Sequence, residues 1–237
     1  MKLFNLYNVT FLFYVQIDSQ DRKDNLKLVL NHLTRYFETN IIIIEASSNR
    51  YLSDEFVMSY EVDYQFIKDV GEVFHTTKYR NLLLKQCKSP YFFICDADIL
   101  VNPMGIIDCL QHMSQSKNPI LVYPYNGHFF DVPLEFRKKY ETKENFTDLE
   151  NSESSFKLWF KYSLGGIFGG RIVDFPDKSL ENENIYGWGP DDKERYYRLR
   201  NAGFDVYRAN YPLYHLFHSR NANSKPPNFG LPILDWT

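Results

Sequence analysis

Apolar residues in this chain fall into two patterns: short unbroken runs, and longer stretches with helical spacing. The runs at residues 9–17 (VTFLFYVQI), 40–47 (NIIIIEAS), 62–67 (VDYQFI), 90–95 (PYFFIC) and 119–124 (PILVYP) have the length and the β-branched and aromatic content of buried strands. A helix is predicted over about residues 21–37, where Leu26, Leu28, Val29, Leu30, Leu33 and Phe37 recur mostly at three- and four-residue spacing. Another is predicted over residues 78–87. Strands alternating with helices predict an α/β fold with a mainly parallel central sheet flanked by helices. The pattern lapses between residues 126 and 153, where the charge-rich stretch KKYETKENFTDLENSE shows no period and is expected to be an excursion or mobile loop. The Pro- and Asn-rich tail from residue 219 reads as a lid or a plain tail.

Composition narrows the picture. A chain of 237 residues, 44% of them hydrophobic, has enough apolar surface for one sizeable core, so a single domain over residues 1–237 is expected. The 27 basic and 30 acidic residues are mixed along the chain to a net charge of −3, which gives no electrostatic footprint for nucleic acid. Cys87, Cys95 and Cys109 lack metal-type spacing, which argues against disulfides and zinc-thiolate sites and fits a reducing cytoplasm. The run at 9–17 is too short for a membrane span, which needs roughly 20 apolar residues. It also lacks the cleavage site of a signal peptide.

Against this background the stretch YFFICDADIL is anomalous: an apolar run passes directly into Asp96-Ala97-Asp98 before turning apolar again. Ligands of open α/β sheets bind beyond the carboxyl ends of the strands, where these carboxylates fall. Extended alternation would send Asp96 and Asp98 to the same side, within reach of one divalent cation, Mg²⁺ or Mn²⁺, that keeps positions open for phosphate oxygens. A pair of turn or capping aspartates is an equally good account of the dipeptide taken alone.

A second acidic cluster lies in NENIYGWGPDDKERYYRLRNAG, residues 182–203. It is expected to be a glycine-rich loop entering a helix, with Gly189 near the N-cap and Pro190 at the first helical position. Asp191 and Asp192 then sit in the first turn, where they complement the positive end of the helix dipole. Tyr186 and Trp188, flanked by glycines including Gly187, suggest in addition a platform for stacking sugar rings, with Asp192 placed to accept a proton from a sugar hydroxyl. In YPLYHLFHSRN, residues 211–221, His215 and His218 are three apart, and two imidazoles this close can meet one metal in a helical or a strand-turn geometry. With carboxylate and imidazole as the donors, Mn²⁺ or Mg²⁺ is preferred, imidazole tilting the choice to Mn²⁺.

Taken together these residues resemble the metal-dependent GT-A glycosyltransferases, in particular the β-1,4-galactosyltransferase-like group and its bacterial relatives. Four motifs in order carry the resemblance: FHTTKYRNLLL (residues 74–84), ICDADIL (94–100), GGIFGGRIVDF (165–175) followed by YGWGPDD (186–192), and HLFHSRN (215–221). The resemblance implies that Asp98 and His218 bind Mn²⁺, with His215 where animal members carry Met, and that Asp96 faces the donor ribose or sugar. It further implies that Lys78, Arg80 and Asn81 approach the nucleotide, that Asp191 and Asp192 hold the acceptor with one of them as base, and that Tyr186, Gly187, Trp188, Gly166 and Arg220 line the sugars. Asp18 and Glu45, each at a strand's carboxyl end, are expected near the nucleobase and ribose. Residues 1–125 would then form the nucleotide-sugar half and residues 126–237 the acceptor half with a terminal lid.

The implied reaction is transfer of a Gal, GalNAc, Glc or GlcNAc unit from a UDP-sugar to a glycan hydroxyl, with inversion. An oligosaccharide or lipid-linked glycan of bacterial surface polysaccharide synthesis is the acceptor that the analogy suggests, with peripheral membrane contact but no transmembrane segment. The animal members' membrane anchor and stalk are not expected. The sequence departs from the family pattern at Tyr186, where a tryptophan is usual, and at Pro190 and Lys193, which interrupt the acidic run. Two other readings compete: a haloacid-dehalogenase-like phosphatase with Asp96 as nucleophile, and a non-catalytic carbohydrate-binding domain.

Overall fold

The computed structural model describes residues 3–71, 73–187 and 189–219. The first half is built as β1 (Phe4–Val15), α1 (Gln20–Tyr36), β2 (Phe37–Ser47), α2 (Asp54–Ser59), β3 (Asp63–Lys68), α3 (Thr76–Gln86) and β4 (Tyr91–Cys95). A short β5 (Ile99–Val101) then leads into α4 (Pro103–Gln115) and β6 (Ile120–Tyr123). Strands β1, β2 and β3 pair in parallel, and β4 joins β1 in parallel on its other side. Ile41–Ile44 are all buried, as expected of a strand covered on both faces, which explains an unbroken apolar run where a half-exposed strand would alternate. Ser19 starts α1 by accepting the Arg22 amide, and Asn102 starts α4 in the same way with Pro103 in the first turn.

The second half departs from expectation. Residues 126–153 are structured: β7 (Phe129–Val132), α5 (Leu134–Lys143) and α6 (Phe146–Asn151) occupy most of the stretch read as a loop. The reason lies in what α5 buries, Arg137 and Tyr140, so that its inward face has little apolar signal. Arg137 Nε donates to Asn25 Oδ1 of α1 at 2.6 Å. The chain continues through β8 (Lys157–Phe160), β9 (Ile167–Arg171), α7 (Asp191–Asn201), β10 (Asp205–Arg208) and β11 (Leu213–Leu216). Pro190 is the N-cap of α7, one position earlier than predicted.

The central sheet has seven strands in the order β10-β6-β9-β4-β1-β2-β3, and a smaller sheet has the order β5-β11-β7-β8. β9 runs antiparallel between β4 and β6. Its two glycines permit the approach: a Cβ at Gly169 would lie 2.5 Å from the Phe92 carbonyl oxygen. From β1 the chain steps one way to β2 and β3, while β4 lies on the opposite side, so the topological switch falls between β1 and β4. That is where an open α/β sheet forms its ligand crevice.

Candidate active site

The crevice is present at that point. It is an open crevice lined by Tyr14, Gln16 and Ile17 at the end of β1, Arg22 of α1, Phe74, and Asp96 to Asp98 after β4. The Asp96-Ala97-Asp98 turn bridges the two sheets and is pinned on both sides. The Asp96 amide donates to the Gly166 carbonyl at 2.8 Å, and the Leu216 amide donates to the Asp98 carbonyl at 2.8 Å. Gly166 has φ +84°, and a Cβ there would lie 2.8 Å from Leu213 Cδ1, so glycine is needed for the strand end to reach the turn. Gly166, expected to touch sugar, uses its carbonyl to hold Asp96.

The two aspartates divide their partners. The Tyr14 hydroxyl donates to Asp96 Oδ1, and Arg80 Nη2 donates in turn to the Tyr14 oxygen at 2.7 Å. Burial pushes the Asp96 carboxyl up to about 7; the Asp98 charge adds to this and Arg80 opposes it. Asp98 faces the histidines: His218 Nε2 lies 3.4 Å and His215 Nε2 3.8 Å from its Oδ2. One ligand atom from each of Asp98, His215 and His218 falls within a 4.8 Å cluster. His215 arrives from β11 and His218 from just beyond it, the strand-turn alternative of the sequence reading.

This cluster fits a divalent cation on the chemistry of its donors. His215 Nδ1 is 3.2 Å from Asp131 Oδ1 and His218 Nδ1 is 3.0 Å from the Ser219 carbonyl, so each Nδ1 holds the proton and each Nε2 turns its lone pair to Asp98. Burial lowers the His218 pKa and so favours the neutral, ligating form. Two lone pairs and a carboxylate facing one another repel unless a cation lies between them. Arg22 also borders the site, with Nη1 4.0 Å from Asp98 Oδ2. Sequence reasoning missed both Asp131 and Arg22. Asp131 lay in the stretch read as a loop, and Arg22 was one charge among several on α1.

The second acidic cluster is linked to the crevice lining through Arg80. Arg80 is buried, lies against Tyr14 and Asp96, and donates through Nη1 to Asp191 Oδ2 at 2.7 Å and to Asp192 Oδ1 at 3.4 Å. Asp191 is itself buried; desolvation, followed by the Asp192 charge, pushes its carboxyl up to about 6. Asp192 has a 27% exposed side chain against 4% for Asp191, so Asp192 is the one of the two open to a substrate.

Three expected nucleotide contacts have partners within the protein. Glu45 is fully buried and accepts from the Tyr51 and Leu52 amides and the Tyr64 hydroxyl, so it braces the loop after β2. Asn81 is buried and spends its amide on the segment 180–183, accepting from the Leu180 and Glu181 amides and donating to the Glu181 carbonyl and Glu183 Oε1. Lys78 is exposed on α3 with its ammonium over the Tyr79 ring. Asp18 pairs with Arg22 Nε at 3.1 Å beside the crevice. Tyr186 is half exposed and stacks on His75 at 4.1 Å between centroids, and Gly187 next to it has φ +72°. Trp188, Arg220 and the tail beyond residue 219 lie outside the described residues.

No family sequence profile and no curated protein matches the chain. Solved structures do. A Drosophila β1,4-galactosyltransferase 7 mutant in complex with manganese, UDP-Gal and xylobiose is 16% identical with a TM-score of 0.56, over 95% of this chain and 77% of that one. Glucosyl-3-phosphoglycerate synthase from Mycobacterium tuberculosis, in complex with Mn²⁺, UDP and glucosyl-3-phosphoglycerate, is 9% identical with a TM-score of 0.52, over 90% and 72%. S. aureus TarS is 12% identical with a TM-score of 0.56, over 88% of this chain and 36% of that one. The chain therefore has the GT-A glycosyltransferase fold. Among the described residues no helix is long and apolar enough to cross a membrane.

Proposed function

We propose that the protein is a divalent-metal-dependent glycosyltransferase that moves a hexose from a UDP-sugar to a hydroxyl of a glycan acceptor, with inversion. The observation that carries this reading is the convergence of Asp98, His215 and His218 into one ligand cluster at the topological switch point, with the part-exposed Asp192 linked through Arg80 to Asp96 of the same turn. The solved relatives support the donor class, since two of them hold UDP or UDP-Gal with manganese. Asp98, His215 and His218 would hold the cation, which supplies Lewis-acid neutralisation of charge on the leaving diphosphate. Asp192 takes the acceptor proton while the acceptor oxygen bonds to the anomeric carbon. The bond from that carbon to the β-phosphate oxygen breaks, and its electron pair leaves with UDP. Attack from the face opposite the diphosphate inverts the centre. Arg22, which lines the crevice, is the nearby fixed cation for the diphosphate.

The donor is proposed to carry Gal, GalNAc, Glc or GlcNAc, and the acceptor to be an oligosaccharide or lipid-linked glycan of a bacterial surface polysaccharide, assembled at the cytoplasmic face of the membrane. Three buried free cysteines are in keeping with a reducing compartment. The phosphatase reading needs Asp96 free as a nucleophile, whereas its Oδ1 is held by the Tyr14 hydroxyl. UDP release should be measured across UDP-Gal, UDP-GalNAc, UDP-Glc and UDP-GlcNAc with Mn²⁺, with EDTA, and with Asp98→Asn. Turnover of one sugar that EDTA and Asp98→Asn both abolish is expected. Turnover indifferent to both would overturn the metal assignment, and no UDP release or UDP binding with any sugar would overturn the reading.

A further inference from the structure

Asp192 sits in the first turn of α7, and one turn on lies Arg195. An arginine three positions from an aspartate on a helix is ordinarily a solvated partner of little consequence. Arg195 is different because it is fully buried and anchored outside its own helix. Nη1 donates to Glu181 Oε1 at 2.7 Å, Nη2 donates to the Leu164 carbonyl at 2.8 Å, and the guanidinium lies 3.5 Å from the centroid of the Phe168 ring on β9. A cation held by a loop carbonyl, a buried carboxylate and an aromatic face cannot follow Asp192. Asp192 must follow it, and Nη2 reaches Asp192 Oδ1 at 2.8 Å.

The two oxygens of Asp192 are thereby made unequal. Oδ1 is taken by Arg195 and approached by Arg80. Oδ2 has no hydrogen-bond donor among the described residues, and a Cβ at Gly165 would collide with it, so a side chain there would displace it. We infer that Arg195 is a positioning residue for the general base: it clamps Asp192 by Oδ1 so that Oδ2 receives the acceptor proton.

The inference rests on the transferase reading and adds a pH signature to it. The charged groups facing Asp192 are Arg195 and Asp191 on its own helix, Arg80 on α3, Glu181 before the helix and Asp96 after β4. The phenols of Tyr14, Tyr123 and Tyr125 complete its surroundings. Two cations therefore balance three carboxyl groups. Loss of Arg195 disfavours the Asp192 anion, so the pH at which the base becomes active rises.

The test is the pH dependence of kcat for Arg195→Gln, Arg195→Lys and Gly165→Ala, read as UDP release from the sugar nucleotide that wild type turns over. UDP·Mn²⁺ binding by calorimetry and circular dichroism report on folding. Arg195→Gln is expected to lower kcat on the order of 10- to 100-fold, the scale of general-base catalysis, and to move the acid limb up by about one pH unit. Donor KM and UDP binding should hold, and Arg195→Lys should recover part of both effects. Gly165→Ala is expected to lower kcat with UDP binding intact, and it decides the matter should Arg195→Gln fail to fold. A folded Arg195→Gln with the wild-type pH profile, or a Gly165→Ala that turns over at the wild-type rate, would overturn the inference while leaving the transferase reading in place. Wild type without turnover or UDP binding would instead remove that reading.

Discussion

Asp191 and Asp192 are neighbours in sequence and opposites in environment, which is why composition alone could not rank them as bases. Asp191 is enclosed with Arg80 and the Gly189 amide, whereas Asp192 keeps a part-exposed side chain. A similar asymmetry gives the metal cluster a partner the sequence did not show. Asp131 accepts from His215 Nδ1 and so fixes which ring nitrogen faces Asp98. Asp131→Ala frees the ring, and Mn²⁺ affinity should fall about 10- to 100-fold, the usual effect of removing such an orienting carboxylate. A manganese titration followed by electron paramagnetic resonance reads this directly, and an unchanged dissociation constant would return Asp131 to the status of a surface acid. The proposed ligands were legible as candidates, since Asp98, His215 and His218 are metal-ligating residue types and the family resemblance joins them in one site. Asp131 was not legible: a lone acid beside Phe130 carries no pattern, and only the parallel pairing of β7 with β11 brings it opposite His215.

At the scale of elements, legibility followed the apolar signal. Strands β1, β2, β4 and β6 came through because most of their residues are buried, β3 because Tyr64, Phe66 and Ile67 are aromatic or β-branched on a half-covered edge, and α1 because its inward face is aliphatic. The excursion failed because α5 buries an arginine and a tyrosine. Boundaries shifted where packing outweighs propensity: β1 begins at Phe4 because Phe4 to Leu6 pair with Phe37 to Thr39 before the register slips. β9 is the element on which the site depends most, since it holds β4 on one side and starts directly after Gly166, whose carbonyl fixes Asp96. Gly169→Ala places a methyl 2.5 Å from the Phe92 carbonyl oxygen and 2.6 Å from Phe93 Cδ1, so strand or ring must move. Overpacking of this kind costs about 1–3 kcal/mol. The expected outcome is a lower urea midpoint at unchanged slope, and a variant as stable as wild type would show that β9 can shift without loss.

Across the whole molecule, the smaller sheet and the helical excursion are joined through a buried imidazole. His32 of α1 lies within 2.9 Å of both the Tyr140 hydroxyl of α5, through Nδ1, and the Val101 carbonyl of β5, through Nε2. The neutral ring satisfies both, donating from Nε2 and accepting at Nδ1, whereas a protonated ring would confront the hydroxyl with a second donor. Burial accordingly lowers the His32 pKa from 6.5 to about 4. A depressed histidine pKa means that the unfolded chain binds a proton the folded chain refuses. Its contribution to stability is therefore full above about pH 6.5, declines as pH falls toward 4 and is gone below that, a difference of about 3 kcal/mol at most. Asp96 and Asp191, whose folded pKa values are raised, change stability in the opposite sense over the same range, so wild type must be compared with a variant that differs at His32 alone. His32→Gln can keep the donor to Val101 without a titrating ring. It should be less stable than wild type at pH 7, and the gap should close or reverse by pH 4.5 in urea melts taken across the range. A gap constant with pH would mean that folding leaves the His32 pKa unshifted, and a gap that widens toward pH 4.5 would mean that the folded chain holds the ring as a cation.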